Sequence, residues 1–453
     1  MFISPSGLTN KGSIPYNRDI MHSLRAWFGK SSPTALLLLG LVVGIGGAFG
    51  AALFHTLIYL TTLVFYQHDG ASSFIILVEE MPVWKRLLIP TLGGLLVGII
   101  FKYAKVSEAE GEGVPEVTEA LAHKRGTIRP LVAPVKIITA ALTLGSGGSA
   151  GREGPVIQIG SAIGSSIAQF FKQATPERSL LLAAGAAAGI GGTFGAPMAG
   201  VLFTLEILHH RPNFLRALVI IIAAFTGAFG NYLITGHNGL RFDAPLFPEI
   251  NVTNITSLLF MSVLAAGIAL LFGYILSLGR KVFARIELPH LFKPAIGGLL
   301  VGIIGLWLPF IHEPAAYPLM IDIIALSTIP ISALAILLVL KMFSTSLTLG
   351  SGGSGGIFAP LLLMGAIAGS IFGSLLLATS LGSLELSQTL VIVGMATVFA
   401  AAAHAPLTAA FITYEMTENF YLLLPLMVTC YIAAKFAKQL KKENIYEHDT
   451  LST

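Results

Sequence analysis

Residues 145–155 read GSGGSAGREGP, and residues 350–360 read GSGGSGGIFAP, the same glycine-rich phrase written again 205 positions later. Other matches keep the same order around it. PTLGGLLVGII at 90–100 returns as PAIGGLLVGII at 294–304; Lys136, Gly145, Pro155 and Gly160 match Lys341, Gly350, Pro360 and Gly365; Gly185, Ala196-Pro197 and Glu206 match Gly394, Ala405-Pro406 and Glu415. A fixed order across almost all of the 453 residues marks a tandem duplication, and it predicts two halves of one architecture.

Composition puts those halves in a membrane. The chain is 54% hydrophobic and 11% charged, with a mean hydropathy of +0.81, far from an ordinary soluble domain. Apolar stretches lie near 35–65, 86–101, 131–145, 180–206, 215–236, 257–279, 294–309, 331–345, 358–380, 389–414 and 420–435. A helix needs about 20 residues to cross a bilayer, so several stretches are too short or too glycine-broken, and some helices are expected to stop midway. Lys11, Arg18, Arg25 and Lys30 precede the first apolar run without the short apolar region and cleavage site of a secretory signal, so that run is expected to stay as a membrane helix. Cys430 is the single cysteine, which excludes disulfide frameworks and cysteine-based metal sites. The net charge of +4 reads as topology, with no sign of nucleic-acid binding.

Charge also predicts how the copies face. Loops of the first are basic, with Lys102, Lys105, Lys124, Arg125 and Arg129 before the glycine phrase, Lys172 and Arg178 after it, then Arg211 and Arg216. The second copy has no Lys or Arg from 342 to 434, until Lys435, Lys438, Lys441 and Lys442. Equivalent loops are therefore expected on opposite sides, with both termini cytoplasmic and only Lys85 and Arg86 out of pattern. The expected fold is an all-α polytopic membrane protein of two inverted-topology repeats with broken and non-spanning helices. A cytoplasmic segment 1–32 precedes repeats at 33–250 and 251–440 and a short tail at 441–453. Such repeats form ion sites where half-helix N-termini meet at the midplane.

Glycine and serine before a helix start leave backbone N–H groups free, and such starts attract anions; the competing reading is that small residues only permit close packing. No GK[ST] follows, which excludes a nucleotide P-loop. Glu206 and Glu415 are mates and are expected to satisfy helix N-termini or backbone, and Lys136 and Lys341 to be structural charges. Glu153 has no mate, because Phe358 takes its place. A carboxylate among helix N-termini competes with an anion for the same donors, and protonation releases it, which makes Glu153 the expected proton-sensitive gate. The competing reading is a fixed salt bridge to Arg152.

With these residues in place, the chain resembles the CLC family of chloride channels and proton/chloride exchangers. GEGVPE at 111–116, GREGP at 151–155, GAPMAGVLFTLE at 195–206, GGIFAP at 355–360 and Tyr446 follow the family's signature segments in order, over roughly residues 33–446. The resemblance implies a homodimer in the bilayer with one anion pathway per subunit and Glu153 as the external gating glutamate. It implies an anion site in the two signature segments, Gly151, Arg152 and Gly154 in one and Ile357, Phe358 and Ala359 in the other. Within them, the N–H groups of Ile357 and Phe358 and the hydroxyl of Tyr446 are the implied ligand contacts. Read without the family, Phe358 is core and Tyr446 an interface anchor.

Two departures change the expectation. Glu112, beside Gly113, stands where well-known members carry Ser or Pro, so it is expected to be protonated, turned to water, or mobile. Ile207 stands where exchangers commonly carry a second Glu on the inner proton path. Together they suggest that Glu112 hands protons toward Glu153; the alternative is a solvated acid in the run Glu108, Glu110, Glu112. The expected function is chloride transport without an enzymatic activity or a cofactor, in a bacterial inner membrane. Proton-coupled antiport is favoured over passive conduction by the retained Glu153 and by a chain with no room for regulatory domains. Pro155 argues against a fluoride-selective relative. A remote alternative is an intramembrane serine protease, since GGSG at 352–355 fits GxSG and His404 could serve as base, although His404 also reads as a packed helix residue.

Overall fold

The computed structural model describes residues 32–68, 73–210, 212–237, 239, 241–245, 251–313, 317–325 and 329–447. The N-terminal cations Lys11, Arg18, Arg25 and Lys30, and Arg211, lie outside the described residues. The first half runs α1 (Pro33–Tyr66), α2 (Phe74–Glu80), α3 (Val83–Ala104), α4 (Val114–Ala122), α5 (Val132–Gly145), α6 (Glu153–Phe170), α7 (Thr175–Phe194), α8 (Pro197–Glu206) and α9 (Phe214–Thr235). The second runs α10 (Val252–Arg285), α11 (Lys293–Gly305), α12 (Tyr317–Ile324), α13 (Ile331–Gly350), α14 (Phe358–Ala378), α15 (Leu384–Ala403), α16 (Pro406–Thr417) and α17 (Phe420–Leu440). Apart from α2 the order is the same, and each half opens on a helix of 34 residues.

Length explains the architecture. At 1.5 Å per residue a 34-residue helix is about 51 Å long and must tilt or overhang a hydrocarbon core of about 30 Å. By the same rise the 14 residues of α5 and the 10 of α8 reach only about 21 and 15 Å, so they end inside the protein. Eight helices among the described residues are long and apolar enough to span a membrane. The apolar stretches at 180–206 and 389–414, each continuous in sequence, are each two helices. Gly195 (φ 62°) and His404 (φ 53°) end the first helix of each pair in the left-handed conformation, and Pro197 and Pro406 start the next. His404 is thus a left-handed cap rather than a packed residue of the helix body; Gly195 fills its place in the first half.

The halves contact each other through matched pairs. Glu206 at the end of α8 accepts from the N–H groups of Leu407 (3.0 Å) and Thr408 (2.6 Å) and the Thr408 hydroxyl (2.7 Å). Glu415 on α16 accepts from Met198 (3.0 Å) and Ala199 (2.8 Å). Each acid caps the helix that carries its mate, as expected of acids that satisfy helix starts. Within each half the backbones touch: a Cβ on Gly160 would lie 2.1 Å from the Gly185 carbonyl, and one on Gly365 would lie 2.1 Å from that of Gly394. Lys136 is fully buried and donates to the carbonyls of Ala109 (3.2 Å) and Gly111 (2.7 Å), fixing the loop before α4. Arg86, out of pattern as a topology signal, donates to the carbonyls of Met81 (3.1 Å) and Glu79, holding the turn between α2 and α3.

Glu206→Ala removes three accepted hydrogen bonds at a partly buried helix start and should lower stability by about 1–2 kcal/mol. Glu415→Ala should cost less, because it removes two. Thermal unfolding of the detergent-purified variants checks the order; equal stability of Glu206→Ala and the parent would contradict the capping role.

Candidate functional site

The two glycine phrases meet backbone to backbone. Gly151 N–H donates to Gly356 O, and Gly356 N–H donates to Gly151 O, both at 2.7 Å, an antiparallel bridge about a pseudo-two-fold axis. Beside it Ser149 N–H donates to Thr348 Oγ1 (3.1 Å), and its mate Ser354 N–H donates to Thr143 Oγ1 (3.2 Å). These bonds set the starts of α6 and α14 against each other. Each start exposes N–H groups without an intrahelical acceptor.

Glu153 is the first residue of α6. Its carboxylate is 1% exposed and reaches α14, where Oε2 accepts from Ala359 N–H at 3.2 Å and Oε1 accepts from the Tyr317 hydroxyl. No Glu153–Arg152 ion pair occurs among the described residues; the Arg152 guanidinium lies over the Tyr317 ring, 4.7 Å from its centroid. The fixed-salt-bridge reading is therefore replaced by a carboxylate seated on the opposite half. Its seat depends on Gly151, because a Cβ there would lie 2.2 Å from Oε2.

The N–H groups of Ile357 and Phe358 have no protein acceptor among the described residues. The Phe358 ring packs between Phe194 (5.5 Å between centroids) and Phe399 (4.4 Å). The ring of Phe358 therefore belongs to the core, as the reading without the family expects. Tyr446 is 4% exposed and is not an interface anchor. Ile445 N–H donates to Ala402 O (2.9 Å) and Tyr446 N–H to Asn444 Oδ1 (2.9 Å), which brings the phenol within electrostatic reach of Glu153 and Glu112.

Glu112 is 2% exposed and forms an ion pair with Arg280 of α10. That corrects the expectation of a solvated acid, and pairing with a fixed cation stands where protonation, solvent or mobility was expected. A proton taken up by Glu112 removes the charge that pairs with Arg280. Gly113 (φ 96°) packs on the start of α6: a Cβ on Gly154 would lie 2.0 Å from Glu112 O. The Gly113 N–H is taken by Glu116 at 2.8 Å, so α4 caps its own start and that donor is engaged. Ile207 is 2% exposed at the end of α8. The protease alternative has no geometry behind it. Ser354 Oγ donates toward Ala109 O, whereas His404 stands in the electrostatic field of Lys438, Glu447 and Lys441.

Sequence reading missed Tyr317 and Arg280. A signal for Tyr317 was present, since Glu110 and Pro115 recur as Glu313 and Pro318, which makes Tyr317 the mate of Val114. Arg280 sits beside Lys281 and Arg285 and reads as part of a basic helix end.

The model of the voltage-gated chloride channel family matches residues 93–438. An H(+)/Cl(-) exchange transporter ClcA of Yersinia pestis is 32% identical over 424 residues, 92% of this chain and 87% of that protein. A protein of Ralstonia nicotianae named as a ClcB-like chloride channel is 30% identical over 413 residues, 87% of this chain and 92% of that one. The crystal structure of a slow cyanobacterial Cl-/H+ antiporter superposes with a TM-score of 0.79 at 26% identity, covering 91% of this chain and 96% of that one.

Gly151→Ala should drive the Glu153 carboxylate off the Ala359 N–H, to beyond about 3.5 Å. A structure of the variant that retains the 3.2 Å contact would show that the seat does not depend on Gly151.

Proposed function

This chain belongs to the voltage-gated chloride channel (CLC) family, and from that premise we propose that it exchanges chloride for protons, with Glu153 as the gate. The observation that carries the reading is the Glu153 carboxylate seated on the Ala359 N–H at the start of α14. An ionised carboxylate there takes a donor and the positive end of a helix dipole that a permeating anion also needs. A proton on Glu153 removes its charge, weakens both of its hydrogen bonds and frees the helix start. Chloride then takes over the N–H groups of Ile357, Phe358 and Ala359, and the Tyr446 hydroxyl donates from the other side. Gly151 and Gly154 let the backbones approach, and Arg152, stacked on Tyr317, supplies positive charge beside the seat. Alternate occupation of one site by the ionised Glu153 carboxylate and by chloride, with a proton bound each time Glu153 leaves, couples the two fluxes, so no cofactor is required.

Each chain builds a whole site from its own two halves, which supports a homodimer with one pathway per subunit. The face that carries the basic loops is the cytoplasmic one by the positive-inside rule, with both termini on it. The bacterial exchanger relatives support an inner-membrane location.

Passive chloride conduction is the second reading, and Ile207 favours it: a buried apolar side chain stands where exchangers commonly carry an acid.

Liposomes loaded with chloride separate the two. The parent should take up protons as chloride leaves, and Glu153→Ala should lose proton uptake while chloride still flows. Chloride efflux from the parent without proton movement would establish the passive reading. Tyr317→Phe removes one of the two bonds to the carboxylate and should raise the chloride efflux rate about tenfold, the worth of one charge-assisted hydrogen bond. An unchanged rate would mean that this bond does not hold the gate.

A further inference from the structure

A second buried carboxylate, Glu112, lies beside the same site. Glu112 comes from the loop before α4 in the first half, and Arg280 from the penultimate turn of α10 in the second, so their ion pair ties the halves together. Glu112 O lies against Gly154 one residue after Glu153, and the Tyr446 phenol feels both acids. The Glu112 side chain is 2% exposed whereas that of Arg280 is 25% exposed, so the guanidinium faces water on the side of Lys281 and Arg285. Neither partner has a counterpart in the other half. A Cβ on Gly145 would meet Thr61 where one on Gly350 meets the backbone of Gly279 and Arg280, which makes Thr61 the mate of Arg280. The Glu110/Glu313 and Pro115/Pro318 spacing makes Ala315 the sequence mate of Glu112. The pair is therefore an addition to the duplicated plan, placed where asymmetry can serve function.

Resting on the anion-transport reading above, we infer that Glu112 and Arg280 form an inner anion gate, in which entering chloride replaces the Glu112 carboxylate on the Arg280 guanidinium. A lone carboxylate at this place would repel chloride. Paired with Arg280 it does something different: when it leaves, a partly buried cation remains, and the anion takes its place charge for charge. The guanidinium keeps an anionic partner throughout, and the displaced Glu112 carboxylate swings toward the basic end of α10, where Lys281 and Arg285 offset its charge. Glu153 and Glu112 then act alike from opposite ends of one path, one on a helix start and one on a guanidinium. Arg280 becomes an anion-binding residue, and its planar fork sets which anions fit.

Equilibrium binding of chloride to the purified full-length protein, measured by calorimetry with sodium chloride, tests this without requiring transport. Glu112→Gln removes the competing charge and should tighten chloride binding about tenfold, and Arg280→Gln should weaken it about tenfold. The double variant should bind like Arg280→Gln, because the gain depends on the guanidinium. Unchanged or weaker binding by Glu112→Gln at the parent's thermal stability would overturn the gate. Should Glu112→Gln fail to fold, Glu112→Ser is read in its place. If neither folds and Arg280→Gln binds chloride as the parent does, the pair is structural and the inference falls. The liposome assay separates this inference from its premise. Loss of proton uptake in Glu112→Gln with parental chloride affinity would make Glu112 a proton carrier instead of a gate, whereas failure of Glu153→Ala to conduct chloride would count against the premise alone.

Discussion

The pair of hydrogen bonds between Gly151 and Gly356 is the constraint on which the rest depends. Two helices can start head to head at the middle of a protein only if their preceding backbones lie side by side, and side chains at that crossing would hold them apart. The reciprocal 2.7 Å bonds satisfy groups that would otherwise be buried without partners, and they fix the distance between the starts of α6 and α14. Everything functional is placed by that distance, from the reach of Glu153 across to Ala359 to the position of the Phe358 backbone.

A single device, a carboxylate on a helix start, appears in this fold with different firmness. Glu206 accepts three hydrogen bonds and Glu415 two backbone ones, all at the ends of rigid helices, and these acids hold the halves together. Glu116 closes the start of its own helix. Glu153 takes the Ala359 N–H and the Tyr317 phenol from the other half, at a helix start where the N–H groups of Ile357 and Phe358 have no protein acceptor among the described residues. Glu112 is bound differently again, by a guanidinium that water can reach.

Duplication makes these distinctions visible. Features shared by the halves, such as the glycine contacts of Gly160 with Gly185 and of Gly365 with Gly394, serve packing. Features that break the symmetry gather along one line: Glu153 opposite Phe358, Tyr317 opposite Val114, Arg280 opposite Thr61. A symmetric shell with an asymmetric interior supports one directional path rather than two equivalent ones.

Much of this was legible in sequence, because the signals are local or repeated. The duplication, the short helices, the mated acids and the unmatched Glu153 follow from spacing and hydropathy, which report a residue's own neighbourhood along the chain. What sequence could not supply is which side chain answers which across the two halves. Adjacent Arg152 and Glu153 read as a pair, yet the Glu153 carboxylate met Tyr317 and Ala359, 164 and 206 residues away. Glu112 read as a solvated acid in an acidic run, and only tertiary structure, by laying α10 across the loop before α4, gave it Arg280 at a separation of 168 residues. By itself the sequence determined the membrane fold and the duplicated frame, because hydropathy and backbone freedom are local properties; the tertiary structure decided the charge pairing, because pairing depends on distances that only folding creates.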